Sequence, residues 1–140
     1  MRHKIQEYPP KILIAFGEAI DRNIKIHKWL FENGYPELGA FASALQADKK
    51  AFEWLMQHKF NHFAAFCNAV DGDEGAKKWL HNHKFTYLFA ILEGIEGKKE
   101  PLLFFQKNKL DIFTMIVHKI RSLKEQQYRD YDDYHSIHFN

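Results

Sequence analysis

The chain of 140 residues has little of what fixes small domains chemically. Its one cysteine, Cys67, allows no intramolecular disulfide, and a reducing cytosol suits it best. No run approaches the roughly 18 consecutive apolar residues of a membrane-spanning helix. The opening stretch Met1-Arg2-His3-Lys4-Ile5-Gln6-Glu7-Tyr8 lacks the apolar core of a signal peptide. A cytoplasmic protein without a membrane partner is therefore expected. Charge is nearly balanced: 20 Lys and Arg against 18 Asp and Glu leave +2, too small a surplus to argue for nucleic acid. No alternating apolar and polar run proposes a strand, and no Gly-rich phosphate loop, HExxH, GxSxG or CxxC occurs. Catalysis and a cofactor have no positive support, so the chain reads as a non-enzyme.

Aromatics, in contrast, are abundant: 13 Phe, 6 Tyr and 3 Trp. They are also periodic. Trp29-Leu30, Trp54-Leu55, Trp79-Leu80 and Phe104-Phe105 recur every 25 residues, and a fixed period of this size marks a stacked array whose units bury their apolar faces against one another. Each unit carries two helical stripes. Leu13, Phe16, Gly17 and Ile20 fall on one face of a helix, and adding the period maps them onto Leu38, Phe41, Ala42 and Leu45, and so on to Phe113, Ile116, Val117 and Ile120. These are the A helices. The B helices carry Ile26, Trp29, Leu30 and Asn33 and their equivalents up to Pro101, Phe104, Phe105 and Asn108. Asn23, Asp48 and Asp73 stand ready to cap B helices, and Asn61, Thr86 and Asp111 to cap A helices.

The expected fold is all-α: a right-handed α-solenoid of about four 25-residue helical hairpins plus a final longer helix. It spans residues 11–127, after an N-terminal arm of residues 1–10 and before a polar, aromatic tail of residues 128–140. The tryptophans are expected to stack as consecutive layers of one core. The small residues Ala19, Ala44, Ala69 and Gly94 give way to Lys119, as a last unit without a neighbour requires. Tyr131 and Tyr134 are expected to cover that last unit.

Thr86-Tyr87-Leu88-Phe89-Ala90-Ile91-Leu92-Glu93-Gly94, with Leu102-Leu103-Phe104-Phe105-Gln106-Lys107-Asn108 after it, resembles a degenerate ankyrin unit, and Gly75-Ala76-Lys77-Lys78-Trp79-Leu80-His81-Asn82-His83 looks like that family's second helix. Ankyrin units have about 33 residues with a β-turn element, for which these units have no room; armadillo and HEAT arrays share the stacked helices but with longer ones. The resemblance is to the helical-repeat class, and it implies a protein-binding scaffold with no catalytic residues.

Histidines suggest a metal, the best constellation being His58, His62 and His83 with His81 nearby. However, His58 and His83 share a repeat position with Asn33 and Asn108, which fits side chains that bond turn carbonyls better than it fits zinc ligands. Cys67 has the register of a core residue. Lys59, Lys84 and Lys109 follow the B helices at one position, where they complement the negative helix ends. An edge for nucleic acid or an acidic ligand is the alternative use of these lysines. Close approach of the A helices predicts a concave A side, on which an unknown protein or peptide would meet His62, Asn68, Tyr87, Phe89 and Glu93, with Lys59 and Lys84 at the rim.

Overall fold

The computed structural model describes the backbone of residues 3–139 and the side chains of residues 3–132. The described residues form helices and no strand. After a 3-10 turn at Ile5–Glu7 come the A helices α1 (Pro10–Ile20), α3 (Pro36–Leu45), α5 (Asn61–Val70), α7 (Thr86–Ile95) and α9 (Asp111–Phe139). Alternating with them are the B helices α2 (Ile24–Glu32), α4 (Lys49–Gln57), α6 (Glu74–Asn82) and α8 (Lys99–Lys107).

Each turn from a B to an A helix closes in one way. The second residue after the helix is left-handed, with φ of 90° at Gly34, 65° at Lys59, 63° at Lys84 and 57° at Lys109. The next amide reaches back to a leucine or phenylalanine carbonyl, as Phe60 N does to Leu55 O at 2.8 Å, which is the Schellman closure. That closure places an apolar residue beyond the turn against one in the last helical turn. Trp29 stacks on Tyr35, Trp54 on Phe60 and Trp79 on Phe85 in this way.

The tryptophans therefore seal turns and do not form the central core expected of them. Trp29 is 39% exposed, whereas its neighbour Leu30 and the equivalent Leu55, Leu80 and Phe105 are each 0% exposed. A buried Leu→Ala change at position 55 would cost on the order of 3 to 5 kcal/mol. The polar ladder is present. Asn33 and Asn108 donate to the carbonyls of Trp29 and Phe104, and the Nδ1–H groups of His58 and His83 donate to those of Trp54 and Trp79, each at 2.8 to 2.9 Å.

Caps divide by helix type. Asn23, Asp48 and Asp73 accept from the amides of Ile26, Ala51 and Ala76, so α2, α4 and α6 start as expected. Asn61 and Thr86 are instead the first residues inside α5 and α7, whose capping positions fall to Phe60 and Phe85 without a side-chain bond. The turn uses that earlier position for the ring that stacks on tryptophan.

Every B helix packs against two consecutive A helices, and the A helices pack in series, α1 on α3 on α5 on α7 on α9. Helix α9 then packs against α1, so the row of A helices returns to its start. At this last seam there is no fifth B helix, because the chain runs on as α9. Met115 and Lys119 fill the space: a Cβ on Gly17 would lie 2.8 Å from Met115 Cε and 3.0 Å from Lys119 Cδ. Lys119 also pairs with Asp21. The expectation that Lys119 marks an end without a neighbour is thus corrected; long side chains at positions that are small in the other units plug the seam.

The interior is filled. Phe16 lies 5.0 Å from Phe41, which lies 4.4 Å from Phe63 and 5.6 Å from Phe66, ring centre to ring centre. The two termini cover opposite ends of the A helices. At one end Ile5 and Tyr8 of the arm are buried, and Tyr8 donates its hydroxyl to Glu37 at 2.7 Å while His62 Nε2–H donates to the His3 carbonyl at 2.8 Å. At the other, Lys124 and Gln127 of α9 donate to the carbonyl of Leu45 at the end of α3, and Lys124 also meets Asp71 beyond α5. Helix α9 continues into the tail, where Tyr131 is 60% exposed instead of covering the last unit. Tyr134 lies outside the residues whose side chains are described.

Candidate functional site

Closure of the A helices removes the concave lining anticipated for them. Their apolar stripes turn inward, so whatever faces outward lies in the gaps between successive B helices. On α3 the α2 side of that outer face is shut, while a smaller cleft of about 350 Å³ lies towards α4 between Pro36, Glu37 and Trp54. A Cβ on Gly39 would lie 2.6 Å from the Phe31 ring of α2, and His27 Nε2–H donates to the Gly39 carbonyl at 2.8 Å, with Ser43 Oγ 3.0 Å away.

On α7 the equivalent face is open. Phe89 replaces Gly39 in the repeat, and Lys77 and His81 replace His27 and Phe31. Half-buried Phe89 forms a ridge, 5.0 Å from the His81 ring and with Lys77 Nζ 5.8 Å from its centre. On its α8 side lies a cleft of about 630 Å³ floored by Ala90 and walled by Tyr87, Pro101 and Phe104, with Thr86, Glu93, Lys98 and Glu100 at the rim. On its α6 side lies another, of about 570 Å³, between His81, Asn82, Lys84 and Thr86. Phe104 contributes to the opening because it is the one member of the tryptophan column with a smaller ring. Beside it on α8, Leu103 is 61% exposed.

Of the expected site residues, Tyr87, Phe89 and Glu93 thus share one cleft, and Phe89 joins Lys84 in the second. Lys59 and His62 line a separate cleft of about 290 Å³ with Lys4, Trp79, His83 and Phe85. Asn68 is exposed on the last turn of α5 and lines neither α7 cleft. Ala90, Pro101, Phe104 and Glu100 were not anticipated; the one sequence sign of them is the break in the tryptophan column.

The reactive groups are engaged by the fold. Burial lowers the His62 imidazole below its ordinary value, against the opposing effect of its bond to the His3 carbonyl. Burial pushes the Cys67 thiol up, away from the thiolate form that reacts. Burial also raises the Tyr8 phenol, helped by Glu37. At the cleft rim the Lys98 ammonium is raised by the bond it donates to Glu93. Among the described residues no group of three or more His, Cys, Asp or Glu could hold a metal ion, and no helix is long and apolar enough to cross a membrane.

Compared with models of known protein families, with curated proteins and with solved structures, the chain matches none.

Proposed function

We infer that this chain is a protein-binding scaffold of the helical-repeat class, a short α-solenoid of 25-residue ankyrin-like or armadillo-like units, acting in the cytoplasm without catalysis. The observation that carries this reading is the paired cleft across α7. Phe89 and Phe104 present apolar surface within reach of solvent, framed by charged groups, which is the make-up of a protein contact centre with a polar rim. The placement of Tyr8, His62 and Cys67 supports a non-catalytic role, since each is taken up in packing. The lysine edge gains less support as one continuous binding feature, because Lys59 and Lys84 line separate clefts.

The test is affinity capture from an extract of the native host, comparing the wild type with Phe89→Ala and with Tyr87→Ala/Phe89→Ala. A protein retained by the wild type and lost by both variants, with their helical circular dichroism intact, is the expected result. Equal retention by all three overturns the reading.

A further inference from the structure

The α7 clefts also carry information about what fits them, and the inference here rests on the protein-binding reading above. The chain contains a template. On α2, His27 and Phe31 lie one helical turn apart and together close the α2 side of the outer face of α3, the ring over Gly39 and the imidazole on the Gly39 carbonyl beside Ser43. The equivalent face of α7 accordingly suits side chains one turn apart on a helix. No strand edge is present among the described residues to recruit an extended peptide through its backbone.

Charge then sets a direction. At the end of α7 near Lys84 the groove has Lys84 and His81; at the other end Glu93 pairs with Lys98 and Glu96 with Lys77, which leaves Glu100 at the rim. Lys84 and Glu100 enter no ion pair among the described residues. Helices carry acidic residues in the first turn and basic ones in the last, as their dipole favours. Laid parallel to α7, such a helix puts its acids against Lys84 and its bases against Glu100; laid antiparallel, it meets like charge at both ends. We propose that the outer face of α7 binds an amphipathic helix of a partner protein, parallel to α7, which seats two large apolar side chains one turn apart along the cleft between Phe89 and α8. Helix α7 has 10 residues, so the contact covers about three turns and 15 Å.

Two synthetic peptides of about 15 residues, the shortest length at which isolated helices are reasonably populated, test this. Both are Ala-rich with Phe at i and i+4. One has Glu in the first turn and Lys in the last; the other reverses them. Titration followed by backbone amide shifts should show the first peptide binding roughly tenfold more tightly than the second, given two exposed charge contacts that change sign. The shifts should centre on Thr86, Phe89 and Ala90. The exposed double variant Lys84→Glu/Glu100→Lys, checked for unchanged helicity, should invert the preference. Equal affinity of the two peptides, shifts elsewhere on the protein, or no inversion overturns the proposal. If neither peptide binds while capture from extract still depends on Phe89, the helix inference fails and the protein-binding reading stands; if capture does not depend on Phe89, that reading fails first.

Discussion

The outer faces of α3 and α7 occupy equivalent places in the repeat yet reach opposite ends. On α3 the small residue is on the A helix and the large ring, Phe31, comes from the B helix before it; on α7 the large ring, Phe89, is on the A helix and the B helix supplies Lys77 and His81. Exchanging which partner is bulky leaves one large ring at each face. It also moves the ring from a lid over the groove to a ridge within it, so the difference between a covered face and a candidate binding face rests on these three repeat positions and on Phe104, where α4 has Trp54.

The strongest way to break the comparison is to put the α7 residue on α3. Gly39→Phe should cost about 3 kcal/mol or more, because even a Cβ there would be 2.6 Å from Phe31 and the ring has no room to enter. Adding Phe31→His and His27→Lys, which completes the α7 set, should restore most of the loss in urea melts. If the triple variant were no more stable than Gly39→Phe alone, the two faces would not be related by exchange of bulk.

A second contrast lies at the N-terminal ends of the A helices, where one repeat position carries Glu37 on α3, His62 on α5 and Tyr87 on α7. The arm contacts the first two. Tyr8→Phe removes the donor to buried Glu37 and should cost about 1 to 3 kcal/mol. The His62 imidazole binds its proton less readily in the folded state than the unfolded value of 6.5. The unfolded chain therefore takes up more protons just below that value, and His62 makes stability fall as pH drops through about 6.5 towards its folded value. His62→Asn should flatten that slope in denaturant melts between pH 5 and 7; an unchanged slope would exclude His62 as its source.

Phe89→Ala should cost only about 1 kcal/mol, well below the roughly 3 to 5 of a buried Phe, since Phe89 is half-buried and flanked by clefts. A loss above roughly 3 kcal/mol would mean that Phe89 is a core residue, and the contrast with α3 would lose its functional meaning.

Much of this arrangement was legible in the 25-residue spacing. The helix pairs, the B-helix caps and the Asn and His ladder follow from side-chain periodicity and local hydrogen bonding, which a sequence displays directly. Three features were not. Trp54 and Leu55 are neighbours of similar hydrophobic character, and only the Schellman turn decides that the leucine enters the core while the tryptophan stacks on Phe60. Lys119 resembles a solvent-facing terminus until curvature brings α1 beside it, and curvature is a sum over all the seams that no single residue encodes. The opening on α7 arises from Phe89, Lys77, His81 and Phe104 together, whereas each alone passes for ordinary variation within its column.

The smallest effect concerns the turns that lead into the two faces. The turn before α3 has Gly34 at its left-handed residue and the turn before α7 has Lys84, at φ of 90° and 63°. A side chain in that conformation costs about 1 to 2 kcal/mol relative to glycine, offset in part by the greater freedom glycine has when unfolded. Lys84→Gly should therefore stabilise by about 0.5 to 1 kcal/mol, and Gly34→Lys should destabilise by a similar amount. The charge adds a second readout. Lys84 sits on the α6-side cleft of α7, whereas Gly34 lies on a separate cleft with Pro36 and Trp54, so Lys84→Gly should also weaken binding of a peptide with acidic residues in its first turn, while Gly34→Lys leaves that binding unchanged. Higher stability together with weaker binding would mean that the lysine at position 84 is kept for the surface it serves. Higher stability with unchanged binding would remove Lys84 from the site and leave the cleft defined by Phe89 and its apolar walls.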